Sequence, residues 1–193
     1  MKTIRLYIVL SFIYSLFGCK YDNKKETVKI EGQEIETKVS ENFLSPTYSI
    51  EDLNENTLVE FEKLNSEAVE LIQHYSKETK DIFNSQKLDD IIKIWKIDTT
   101  ENKVKFNKAV DLIGYAFGTD IANSLNCEWK ILNDEYGKDF TVIHKKFKIN
   151  CFPFSSVQKA IKENRIGSLN DIKLILKKNI QDAENGNEIE VRK

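Results

Sequence analysis

The sequence predicts an α+β fold, with helices packed on a small three-stranded antiparallel meander and a helix-rich N-terminal half. Three observations predict it. A helical apolar period runs through residues 58–75, 88–95 and 106–125, the period shortens to two between Cys127 and Phe152, and the helical period returns after Pro153.

The elements begin with a segment that precedes the domain. Lys2 and Arg5 give a positive start, and Leu6 to Phe17 form an apolar run broken only by Ser11, Ser15 and two tyrosines. As a helix that run would reach ~18 Å, short of the ~30 Å hydrocarbon core of a bilayer, so it reads as a signal segment and not as a span. It ends Leu16-Phe17-Gly18-Cys19, which resembles the lipobox of bacterial lipoproteins; Phe17 is bulkier than the usual residue at its position. The resemblance implies cleavage before Cys19, diacylglycerol on its thiol and acylation of the new amino terminus. Two or three chains hold a protein on a membrane, whereas one chain binds marginally. The expected location is the cell membrane or the outer membrane, with the domain outside the cytoplasm.

Residues 19–48 read as a lipidated N-terminus and flexible tether, although the alternation Val28, Ile30, Ile35, Thr37, Val39 around Glu31-Gly32-Gln33 also fits a short hairpin. Residues 49–183 read as a single α+β domain, and 184–193, after Ala183, as a frayed tail. Ser49 with Asp52 resembles a capping start for a helix carrying Leu58, Phe61, Leu64, Ala68, Leu71, Ile72 and Tyr75 on one face. A second helix carries Leu88, Ile91, Ile92 and Trp95. A third, with Thr99 or Thr100 as its cap, carries Phe106, Val110, Ile113, Phe117, Ile121 and Leu125. Gly114 and Gly118 inside it each cost ~1 kcal/mol against alanine, so a close contact across that face is expected.

Cys127 to Leu132 alternates as a strand with Trp129 and Ile131 inward, Asn133 to Asp139 holds a turn, Phe140 to His144 returns, and Phe147 to Phe152 makes a third strand ended by Pro153. Ser155 or Ser156 would cap a short helix through Val157, Ala160 and Ile161. Ser168 with Asp171 would open the last one, carrying Leu169, Ile172, Ile175, Leu176 and Ile180.

Composition narrows the function classes. Loss of residues 1–18 removes two basic residues and no acid, leaving 27 basic against 31 acidic residues and a formal charge of −4. No basic excess is left to grip phosphate backbones, so no nucleic-acid partner is expected. The two histidines, His74 and His144, lack metal-site spacing, and the sequence implies no metal and no cofactor. No serine sits on a Gly-x-Ser-x-Gly elbow. In a meander Cys127 would begin the first strand and Cys151 finish the third, at opposite ends of the sheet and beyond disulfide reach, so free buried thiols are expected.

The stretch 106–166, with Gly114-x-x-x-Gly118, Glu128-Trp129, Asp134-Glu135-Tyr136-Gly137-x-Asp139, Pro153-Phe154-x-x-Val157 and Lys159, resembles an uncharacterised bacterial domain of unknown function. The resemblance implies a helix, strands, helix module and transfers no catalytic residue. Trp129, Asp134, Tyr136, Asp139 and His144 are the candidate recognition residues, since turns and strand ends are where side chains reach outward. The expected function is an envelope lipoprotein that binds a protein or cell-surface ligand and catalyses nothing. The alternative is an anchored hydrolase using Asp134, Asp139 or His144, or an immunity-type protein that neutralises a toxin.

Overall fold

The computed structural model describes residues 24–30, 33–39, 48–76, 82–165 and 167–186. Cys19 and the signal segment lie outside the described residues, as do residues 187–193.

The fold is α+β, with five described helices and a four-stranded antiparallel sheet where three strands were expected. Strands β1 (Lys24–Ile30) and β2 (Gln33–Val39) pair as a hairpin, Val28 opposite Ile35, in the stretch expected to be a flexible tether. The sheet proper has the order β3-β4-β5-β6, with β3 Ser49–Glu51, β4 Cys127–Asp134, β5 Gly137–His144 and β6 Asn150–Cys151.

Two expectations give way here. Ser49 caps no helix: it pairs with Asn133 as the start of edge strand β3. The helix α1 (Glu55–Ser76) starts six residues later, where Asn54 Oδ1 accepts from the Thr57 amide at 2.9 Å and the Thr57 hydroxyl at 3.0 Å. The third strand of the meander is also shorter than Phe147–Phe152. His144 folds the chain instead, its Nδ1 accepting from the amides of Lys146 and Phe147, both at 3.2 Å, so that only Asn150 and Cys151 are left to pair with β5.

Helix α2 (Ser85–Ile97) is capped by Asn84 Oδ1, which accepts from the Gln86 and Lys87 amides. Helix α3 (Phe106–Ser124) is the centre of the core. Ala109, Ile113, Ala116, Phe117 and Ile121 on it have no exposed surface. Neither Thr99 nor Thr100 caps it; the chain enters through Lys105 without a side-chain cap. The close contact expected across its glycines is present. A Cβ on Gly118 would lie 2.1 Å from the Trp129 indole, and one on Gly114 would lie 2.6 Å from the Phe154 ring.

Helix α4 (Pro153–Lys162) starts on Pro153, which needs no amide in the first turn, and neither Ser155 nor Ser156 serves as its cap. Helix α5 (Ser168–Glu184) starts after Gly167 at φ +91°, and Asn185 and Gly186 end it. Its opening amides are held from a distance: buried Asp89 of α2 accepts from Leu169 N at 3.2 Å and Asn170 N at 3.0 Å. The first-turn serine anticipated as the cap leaves its hydroxyl without a hydrogen bond among the described residues.

Candidate functional site

The five candidate recognition residues all lie on the β4–β5 hairpin, but they do three different jobs. Trp129 is a packing residue. It sits edge-on to Phe61 at 5.0 Å between ring centroids, parallel to Tyr115 at 6.2 Å and tilted against Phe154 at 5.8 Å. Phe140, next but one across the ladder, meets Phe61 and Phe154 as well. This aromatic cluster joins the sheet to α1, α3 and α4. The Trp129 indole N–H is buried without a hydrogen-bond partner among the described residues.

Asp134, Tyr136 and Asp139 make the hairpin tip. Asp134 pairs with Gly137, leaving Glu135 and Tyr136 as a two-residue loop, and Gly137 takes φ +120°, which a side chain would resist. Asp134 Oδ1 accepts from the Tyr136 amide at 2.8 Å, the local bond that makes aspartate a turn former. Tyr136 is 79% exposed. Asp139 is half-buried. Its carboxylate accepts from Phe140 N at 2.8 Å and from Ser155 Oγ of α4 at 3.1 Å. Burial pushes its pKa up, and the nearby Asp134 carboxylate pushes the same way against those two hydrogen bonds.

His144 is at the opposite end of β5, five residues on, which at ~3.4 Å per residue is ~17 Å away. It is buried, stacks on Phe147 at 4.9 Å, and keeps its proton-accepting Nδ1 turned to two backbone amides. Burial lowers its pKa, which suits a neutral ring that accepts those bonds. Across the ladder from it is Cys127.

Cys151 pairs opposite Val142, so the two cysteines lie toward the same end of the sheet and not at opposite ends as expected. The cause is the shortened third strand. They are still free thiols, because β5 runs between them: two strand spacings of ~4.8 Å exceed the ~7 Å limit between bridged Cα atoms. Burial raises the Cys127 thiol to about 11 and the Cys151 thiol to about 12, far from the range of a reactive thiolate.

The helical side carries a concave feature that the apolar period does not announce. A groove of about 370 Å³ lies between α1 and α3, with Leu71 and Leu112 in its lining and Glu67, Glu70, His74 and Lys108 among its polar groups. Spacing could have shown part of it, since Glu67, Glu70, Leu71, His74 and Tyr75 fall on one side of α1. Lys108 bonds Glu67, and that hydrogen bond holds the Glu67 carboxyl below its usual range. Tyr75 Oη donates to Asp98 Oδ2 at 2.7 Å. That bond, with the Thr100 amide, holds Asp98 down at about 2, while burial first and then Asp98 raise Tyr75 to about 12. No group of three His, Cys, Asp or Glu side chains among the described residues is arranged to hold a metal ion.

No curated protein matches the chain. A solved chain from Bacteroides thetaiotaomicron VPI-5482 is similar at 12% identity with a TM-score of 0.48, over 80% of this chain and 53% of that one. This chain therefore spans about half the length of that structure. Residues 84–172, from the Asn84 cap of α2 into α5, match the model of a domain of unknown function, DUF3806, and the match extends on both sides of the 106–166 stretch that resembles such a module.

Proposed function

We propose that this chain is a bacterial envelope lipoprotein, acylated on Cys19, whose α+β domain is a binding module that presents the β4–β5 hairpin tip to a protein or cell-surface ligand. The separation of Asp139 from His144 carries the binding reading over the hydrolase alternative. An acid–base pair works within ~2.6–3.2 Å of the groups it serves, and these two lie ~17 Å apart along one strand. His144 is further committed to a backbone turn, and Asp139 to Ser155. The tip, in contrast, carries an aromatic ring with 79% of its surface exposed beside two carboxylates. Tyrosine offers large contact area at low entropic cost, which suits recognition.

Anchoring is tested by mass spectrometry of the full chain expressed with its own N-terminus in a bacterial host. The expected product starts at Cys19, carries two or three acyl chains and sediments with membranes, and Cys19→Ala abolishes all three; a native product that keeps Met1 and an unmodified Cys19 overturns the anchor. Recognition by the tip is tested with a photo-crosslinking residue at position 136 in intact cells. A discrete adduct is expected there and not from the equally exposed position 97.

A further inference from the structure

We infer that the groove between α1 and α3 is a second binding site, one that takes a single cationic side chain, an alkyl-guanidinium or alkyl-ammonium, from a partner polypeptide. This site stands or falls independently of the acylation of Cys19 and of the hairpin tip. Its size selects the occupant: about 370 Å³ is at the small end of the ~300–1,000 Å³ that ligand pockets span, enough for one long side chain. Its charge selects the sign. Glu67 is already paired with Lys108, whereas Glu70 has no ion-pair partner among the described residues, so the lining holds one carboxylate in excess.

Its layout fits a stem with a charged head. Buried Leu71 and Leu112, with half-buried Val104, offer an apolar floor for methylene groups, as lysine and arginine stems require. At the rim, Glu70 supplies carboxylate oxygens, and Tyr75, whose proton is given to Asp98, keeps lone pairs on its hydroxyl oxygen to accept. An organic cation is favoured over a metal because the described residues converge no three ligands there.

The test is an NMR titration of the full chain with acetyl-Gly-Arg-Gly-amide, and with the same peptide carrying citrulline, which keeps the shape of arginine and loses its charge. Saturable shifts are expected at Leu71, Val104 and Leu112 with the arginine peptide, and binding about tenfold weaker or more with the citrulline peptide and with Glu70→Gln. Glu70 is exposed, so the variant should give an otherwise unchanged spectrum. The inference is overturned if the two peptides bind alike, if Glu70→Gln binds as the parent does, or if no shift saturates. Saturation of the groove by spermidine but not by the peptide overturns the polypeptide assignment.

Discussion

Tyr75 illustrates what a single residue does when it is placed by a helix but employed by a loop. Helical spacing put it on the inner face of α1, and the structure keeps it half-buried there, yet its hydroxyl is spent on Asp98, 23 residues further along the chain. Apolar periodicity carries no information about such a partner. The Asp98 carboxyl, held down at about 2, contributes stability that is present above its unfolded pKa of ~3.9 and is lost as pH falls toward 2. Tyr75→Phe should therefore move the Asp98 pKa up toward the usual carboxylate range and shrink that acid-side loss. A carbon-detected NMR titration of the Asp98 carboxyl measures the shift, and an unchanged midpoint would refute the coupling. The roles of Asp139 and His144 were illegible for the same reason. Their identities suggested chemistry, but Ser155 and the amides of residues 146 and 147 decide what they can do.

Among the elements, helices were read more accurately than their ends. The apolar stripes at Phe61, Ala68, Leu71 and Ile72, and at Val110, Ile113, Phe117 and Ile121, are buried as spacing implied, though Leu58 remains half-exposed at the start of α1. Caps were misplaced where the helix is closed from elsewhere. The amides that open α5 are satisfied by Asp89, 80 residues away, and no local motif reports that. The short strand β3 escaped as well, because three residues hold too few alternations to show a period, and β6 is a two-residue remnant of the longer strand expected over Phe147–Phe152. The glycines of α3 were the more informative signal. Gly118→Ala would drive a methyl into the Trp129 ring, with the Pro153 Cγ 2.8 Å away on another side. The helix-propensity gain of ~1 kcal/mol is outweighed, and a net loss of about 2 kcal/mol in urea unfolding is expected from overpacking. Trp129→Phe in the same background should recover part of it.

For the whole molecule, the class was legible and the joints were not. An α+β chain with a helix-rich first half follows from the change of period, while one polar joint among α2, α3 and α5 depends on a single buried acid. Asp120 of α3 accepts from Ser85 N at 2.8 Å and Ser85 Oγ at 2.9 Å at the start of α2, and from Lys173 Nζ of α5 at 2.7 Å. Three helices meet on a side chain that an apolar period leaves unmarked. Asp120→Ala strands the buried Ser85 amide and a Lys173 side chain that is 20% exposed, so a loss of about 3 kcal/mol is expected, with Asp120→Asn milder. Urea midpoints at constant slope measure both, and equal losses for the two variants would argue against the charge–amide joint.

The edge strand gives the molecule a mechanical weak point. Any pull on the chain from its N-terminal side reaches the sheet first at Ser49, the end of a strand only three residues long that is antiparallel to β4. Tension directed across the strand would open the ladder one rung at a time, from Asn133 toward Ile131, whereas a pull along it would load all rungs together. The domain would thus yield a few residues of slack before strain reached the eight-residue hairpin or the helices behind it.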